Sequence, residues 1–128
     1  MSKSSTIFLL ILIFITATSC EEEFEVFEGG EFSLILNSPI TLIDGSVLEV
    51  QEIEDSRCPE GVDCIWEGRA SVLVNWKRNE NHSIQLNNVE YLSQVIERFK
   101  VSFLTLTPYP ENSTIAIAKV ARIRIELN

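Results

Sequence analysis

Between Asp55 and Trp76 the chain reads D-S-R-C-P-E-G-V-D-C-I-W-E-G-R-A-S-V-L-V-N-W, and no other stretch constrains the fold as much. Cys58 and Cys64 close a seven-residue segment that carries Pro59 and Gly61, both turn formers. The segment from Ile65 to Lys77 has the pattern of a strand. Trp66, Ala70, Val72, Val74 and Trp76 fall on one face, and Glu67, Arg69, Ser71, Asn75 and Lys77 on the other. That is the period of two expected of a half-buried strand. The alternation predicts that Trp66 and Trp76 both enter the core, with Ile84, Leu86, Phe103, Ile123 and Ile125 around them. A short loop therefore feeds a central strand.

The rest of the chain repeats the theme. Phe32, Leu34 and Leu36 alternate with Ser33 and Ile35 until Asn37-Ser38-Pro39 ends the run. Asp44-Gly45 after Ile40–Ile43 is the strongest hairpin signal. Val47 to Glu54 reads as a strand whose pattern slips at Gln51-Glu52, as a β-bulge would make it do. Phe99, Val101 and Phe103 open another strand, with Leu104 and Leu106 facing the other way, and Pro108-Tyr109-Pro110 closes it. The last strand places Ile115, Ile117, Ala121, Ile123, Ile125 and Leu127 on one face. Only residues 87–99 break the pattern: Val89, Leu92, Ile96 and Phe99 recur at helical spacing behind Asn88, which reads as a short helix or a loop. About seven short strands between turns imply an all-β protein, a single antiparallel sandwich, Ig-like or barrel-like, with one short disulfide-stapled loop. An immunoglobulin bridge joins cysteines on different sheets, whereas these two sit in one loop, so the Ig-like description rests on strand count.

The N-terminus has a different character. Lys3 precedes a nine-residue apolar run, Ile7 to Ile15, about half of what a transmembrane helix needs. It reads as the apolar region of a signal peptide. The small residues Thr16, Ala17, Thr18 and Ser19 before Cys20 resemble the lipobox of bacterial lipoproteins, although Ala17 stands where Leu is usual. That resemblance implies cleavage after Ser19 and lipid on Cys20, hence a membrane anchor; the alternative is an ordinary secretory leader with Cys20 left as a thiol. The division expected is a signal peptide over 1–19, a lipidated Cys20 with an acidic tether over 20–31, and the sandwich over 32–128.

Cysteine arithmetic then depends on lipidation. Cys20 accounts for the odd thiol, and Cys58 is free to pair with Cys64 in an oxidising compartment. Closing so short a loop contributes about 2.4 kcal/mol in the chain-entropy model. A zinc site is disfavoured, since one C-x5-C pair and the single His82 cannot supply four ligands. Nor is the spacing that of a redox C-x-x-C pair. The chain carries a net charge of −9, and loss of Lys3 with the leader makes it −10. Glu21, Glu22, Glu23, Glu25, Glu28 and Glu31 supply six of those charges with no cation among them. This balance argues against nucleic acid as a partner and describes a solvated tether. Acidic residues directly after a lipidated cysteine also resemble the surface-export signal of some bacterial lipoproteins.

D-S-R-C-P at Asp55–Pro59 followed by C-I-W-E-G-R-A at Cys64–Ala70 resembles a group of uncharacterised bacterial lipoproteins and secreted proteins marked by DSRCP and C-x-W-x-G. Val101–Pro110 and the closing strand resemble that group as well. Many of its members have Ala where Glu67 stands here. The resemblance implies a cell-envelope location, at the outer membrane and in some cases surface-exposed, and no particular activity.

Physically, Arg57 has Asp55, Asp63 and Glu67 within reach for a bidentate pair that would pin the loop. Gly68 within a strand suggests a bulge or a close backbone approach. Three functions are compatible with these residues. A binding or accessory module would use Asp55, Arg57, Glu60, Asp63 and Glu67 as a rigid contact patch for a protein or glycan. A calcium-stabilised loop would use Asp55, Glu60, Asp63 and Glu67, although the D-x-D-x-D-G spacing is absent. A small hydrolase would need a carboxylate pair such as Asp63 and Glu67. The sequence favours the first: a binding module, not an enzyme, with no cofactor and no metal.

Overall fold

The computed structural model describes residues 27–113 and 115–128. The leader, Cys20 and the acidic residues up to Glu25 lie outside the described residues. The architecture is all-β, with no helix among the described residues. Eight strands form two antiparallel four-stranded sheets packed as a sandwich: β1 (Gly29–Ile35), β8 (Val120–Leu127), β7 (Phe99–Thr107) and β6 (Ser93–Ile96) in one, β2 (Ile40–Thr41), β3 (Val47–Asp55), β4 (Ala70–Lys77) and β5 (Asn81–Asn87) in the other.

The alternation that identified the strands also builds the core. Leu48 and Val50 of β3, Val72, Val74 and Trp76 of β4, and Ile84 and Leu86 of β5 face Leu34, Phe99, Val101, Ile123 and Ile125 of the opposite sheet, all essentially inaccessible to solvent. Trp76 lies against Phe27 and Phe99 with ring centroids 6.2 and 5.4 Å away, and its indole N–H donates to Ser46 Oγ at 3.0 Å. The buried polar group is thereby satisfied. Asp44-Gly45 turns between β2 and β3, and the β3–β4 register shifts between Val50 and Glu52, where the bulge was expected.

Four expectations are corrected. First, β4 begins at Ala70, so Trp66 belongs to the loop and does not enter the core. Second, of the short helix or loop expected over 87–99, residues 88–92 form the loop and Ser93–Ile96 the strand β6, so the helical alternative falls. The Asn87 side-chain carbonyl accepts from the backbone N–H groups of Val89, Glu90 and Tyr91, which folds the chain into a turn before β6. A carboxamide that satisfies three consecutive donors competes directly with the helical ladder. β6 then pairs with β7 through the tight turn Glu97-Arg98, with Glu97 at φ 54°. Third, a register shift between Phe103 and Thr105 puts Leu106 back on the buried face. One extra residue flips every later side chain. Fourth, Ile115 and Ile117 precede β8 and are exposed, as is Leu127 at its end.

The sandwich also starts earlier than residue 32. Phe27 is buried in the aromatic cluster, and Glu31, assigned to the tether, sits in β1 opposite Arg124. Its carboxylate pairs with Arg122 and Arg124 of the neighbouring strand.

Candidate binding site at the stapled loop

Residues 56–69 connect β3 to β4 at one end of the sandwich. The strand pair does not simply stop there. Ser56 N–H donates to Arg69 O at 2.8 Å and Cys58 N–H to Glu67 O at 2.9 Å, continuing the two-stranded ribbon beyond the sheet. Ser56 Oγ reinforces the first of these pairs, lying 3.1 Å from both the carbonyl oxygen and the N–H of Arg69. The Cys58–Cys64 disulfide then closes the tip, with Cα atoms 5.9 Å apart.

Gly68 explains how the ribbon folds so tightly. It has φ +67°, and a Cβ placed there would overlap the Ser56 carbonyl oxygen. The close backbone approach inferred from sequence is therefore real, and only glycine accommodates it.

Beneath the tip lies an ion network. Arg57 forms a fork with Asp55, its Nε and Nη2 each donating to a carboxylate oxygen at 2.7 Å. Nη2 also donates to Leu106 O at 3.0 Å, and the guanidinium lies over the Tyr109 ring, 4.5 Å from its centroid. Lys119 Nζ lies 2.9 Å from the second Asp55 oxygen and donates to Pro108 O at 2.7 Å. Asp55 and Arg57 side chains are only 8% and 12% exposed, so their charges are compensated by each other and not by water. Burial alone would push the Asp55 carboxyl up. The hydrogen bonds from Arg57 and Lys119 and the attraction of Arg57 outweigh it, and hold that carboxyl at about 2. The same partner raises the Arg57 guanidinium, although burial opposes it.

The network ties the loop to the segment after β7. Glu60 N–H donates to Pro110 O at 3.2 Å, and Thr107-Pro108 is a cis peptide. Arg57, Cys58, Glu67, Gly68, Val89 and Tyr109 line a cleft of about 460 Å³ between these segments.

The expected site residues therefore separate into two groups. Asp55 and Arg57 are internal and hold the loop in place. Glu60, Asp63 and Glu67 are exposed on it and make no ion pair with the described residues, so Arg57 chooses Asp55 over the other two acids. Both Asp55 oxygens face cations, so the set of Asp55, Glu60, Asp63 and Glu67 expected for calcium is not brought together. No group of three or more His, Cys, Asp or Glu side chains among the described residues is arranged to hold a metal ion.

What sequence reasoning missed is the apolar tip. Ile65 is 99% and Trp66 82% exposed, next to Val62 on the same loop. Tyr109 and Lys119 were missed as well; Pro108-Tyr109-Pro110 read as a strand stop, and nothing in its sequence spacing tied it to residue 57. The chain matches no family model, no curated protein and no solved structure.

Proposed function

We propose that the protein is a bacterial cell-envelope lipoprotein, held at the outer membrane by lipid on Cys20, whose sandwich presents the stapled loop to a partner protein. The observation that carries this reading is the exposure of Ile65 and Trp66 on a loop braced by a disulfide and a buried ion network. A tryptophan exposed on a braced loop beside a second apolar side chain is costly for a monomer and is characteristic of binding hot spots. Preorganisation lowers the entropy lost on binding.

Strand polarity supports the direction of display. β1 begins at Gly29 opposite Glu126, and Phe27 before it packs on Trp76 and Phe99, at the end of the sandwich where β3 starts. The stapled loop leaves β3 at its other end, after Asp55. Eight residue steps of extended chain put the two ends roughly 25 Å apart. A tether arriving at Phe27 thus directs the loop away from the bilayer. Glu60, Asp63 and Glu67 around the apolar tip suit a protein partner with an apolar pocket rimmed by Lys and Arg.

The test is a pull-down from envelope fractions with the lipidated protein and with Trp66→Ala/Ile65→Ser, both cysteines kept. A partner held by the wild type, released by the double variant and released by raised salt is the expected result. Retention by both forms, or by neither, overturns the reading.

A further inference from the structure

The end of the sandwich opposite the stapled loop carries a pocket of about 300 Å³ between the β2–β3, β4–β5 and β6–β7 turns. Among the described residues Lys77, Arg78 and Arg98 line it, with Asp44 as the one acid. Three cations against one anion leave a formal excess of +2 in a chain whose net charge is −9. Such a local reversal of sign is the electrostatic signature of an anion site.

The arginine geometry sharpens this. Arg78 lies over Phe99 and Trp76, 4.7 and 5.3 Å from the ring centroids, and Arg98 lies over Phe99 at 5.5 Å. Stacking on rings fixes the guanidinium planes, and the exposed Arg98 keeps N–H edges open to solvent. Asp44 orients Arg78, its Oδ2 lying 3.3 Å from Nη2. Asp44 is itself held, since its Oδ1 accepts from both Ser46 N–H and Ser46 Oγ, and that hydroxyl accepts from the Trp76 indole. A chain of hydrogen bonds thus runs from the core tryptophan to Asp44, which forms an ion pair with the guanidinium. Arg78 Nη1 is buried and has no hydrogen-bond partner among the described residues. A buried charged donor without an acceptor is unfavourable, and turning the guanidinium toward an oxyanion in the pocket would satisfy it.

We propose that this pocket binds a phosphate group, with Arg78 and Arg98 as its hydrogen-bonding clamp and Lys77 as a further charge. An excess of two positive charges matches a dianion, and guanidinium edges match its oxygens. The proposal is independent of the stapled loop. A phosphorylated solute offers the dianion and a lipid phosphodiester the same oxygens with one negative charge, and the pocket lies at the end where the tether enters.

The experiment is an NMR titration of the full chain in nonionic detergent with inorganic phosphate, ionic strength held constant with sodium chloride. Saturable shifts are expected at the Ser46, Asn79 and Arg98 amides and at the Trp76 indole N–H. Arg98→Gln, an exposed side chain whose loss leaves the melting temperature in place, should weaken binding about tenfold, the worth of one charge-assisted hydrogen bond. Arg78→Lys, which keeps the charge and loses the fork, should weaken it too. Repeating the titration with soluble dihexanoyl phosphatidylglycerol separates the sources: tighter binding than phosphate identifies a lipid headgroup, weaker binding a phosphorylated solute, and both support the site. Shifts that grow linearly, that chloride reproduces, or that Arg98→Gln leaves unchanged overturn it.

Discussion

Gly68 and Asp55 show how single residues set the stapled loop. At Gly68 a methyl group would collide with backbone and not with a flexible side chain, so Gly68→Ala must open the Ser56–Arg69 ribbon. The expected cost is about 3 kcal/mol or more, against about 1 kcal/mol for Gly61→Ala, where φ is also positive but nothing lies within 4 Å. Urea midpoints of the two variants check this, and equal losses would mean that the close approach carries no weight. Asp55 imposes a pH dependence. Its carboxyl is held at about 2, below the ordinary 3.8, so the stability it contributes is fully present above about pH 4. That contribution, about 2 kcal/mol, is lost as pH falls from 4 toward 2. Asp55→Asn should therefore be less stable than wild type at pH 7 and show a shallower decline below pH 4, as followed by thermal melts. The Asp55–Arg57 pair was legible because the two residues are neighbours in sequence. Lys119 was not, since only the fold brings β8 to the end of β3.

The sequence is most informative about elements where one face is buried, and β4 marks the limit of that reasoning. From Ala70 to Trp76 the apolar residues do share a core-facing side, held in register by β3 and β5. Ser71 and Asn75 on the other side are buried as well, so the strand is covered on both faces and not half-exposed as its alternation implied. The same alternation runs back through Gly68 to Trp66, but Gly68 at positive φ turns the ribbon and the disulfide curls it away, so Trp66 has no opposing sheet to face. Period two establishes which side chains share a face; it does not establish that the face is covered. The helical spacing over 87–99 failed for a related reason: Asn87 supplies the backbone donors with a local acceptor, and β6 finds β7 across a tight turn. The two tryptophans accordingly separate in their energetics. Trp76→Ala empties the centre of the aromatic cluster and should cost about 3 to 5 kcal/mol. Trp66→Ala should leave the melting temperature within a degree or two. A large loss for Trp66→Ala in differential scanning fluorimetry would place that ring in a contact the exposed loop does not have.

For the molecule as a whole, the sandwich gives two ends with opposite chemistry. One carries the apolar, acid-rimmed loop, and the other carries the arginine pocket and receives the chain at Phe27. This polarity was invisible in sequence, because it depends on strand direction and on which turns share an end, and both come only from the pairing of β1 with β8 and of β3 with β4. The composition and the spacing of the cysteines pointed to a stapled β domain; what the staple displays depended on the ribbon geometry. If lipid on Cys20 holds the protein to a bilayer, the tether end faces the headgroups and Trp66 faces water. Trp76 is enclosed, so an aqueous quencher reports on Trp66 alone. With the lipidated protein in vesicles, acrylamide should quench the exposed tryptophan as efficiently as it does in detergent, while lipids brominated along their acyl chains should leave its emission unchanged. Protection from acrylamide together with quenching by the brominated chains would put the loop in the membrane. The apolar tip would then be an insertion element, and the partner-facing orientation would be wrong.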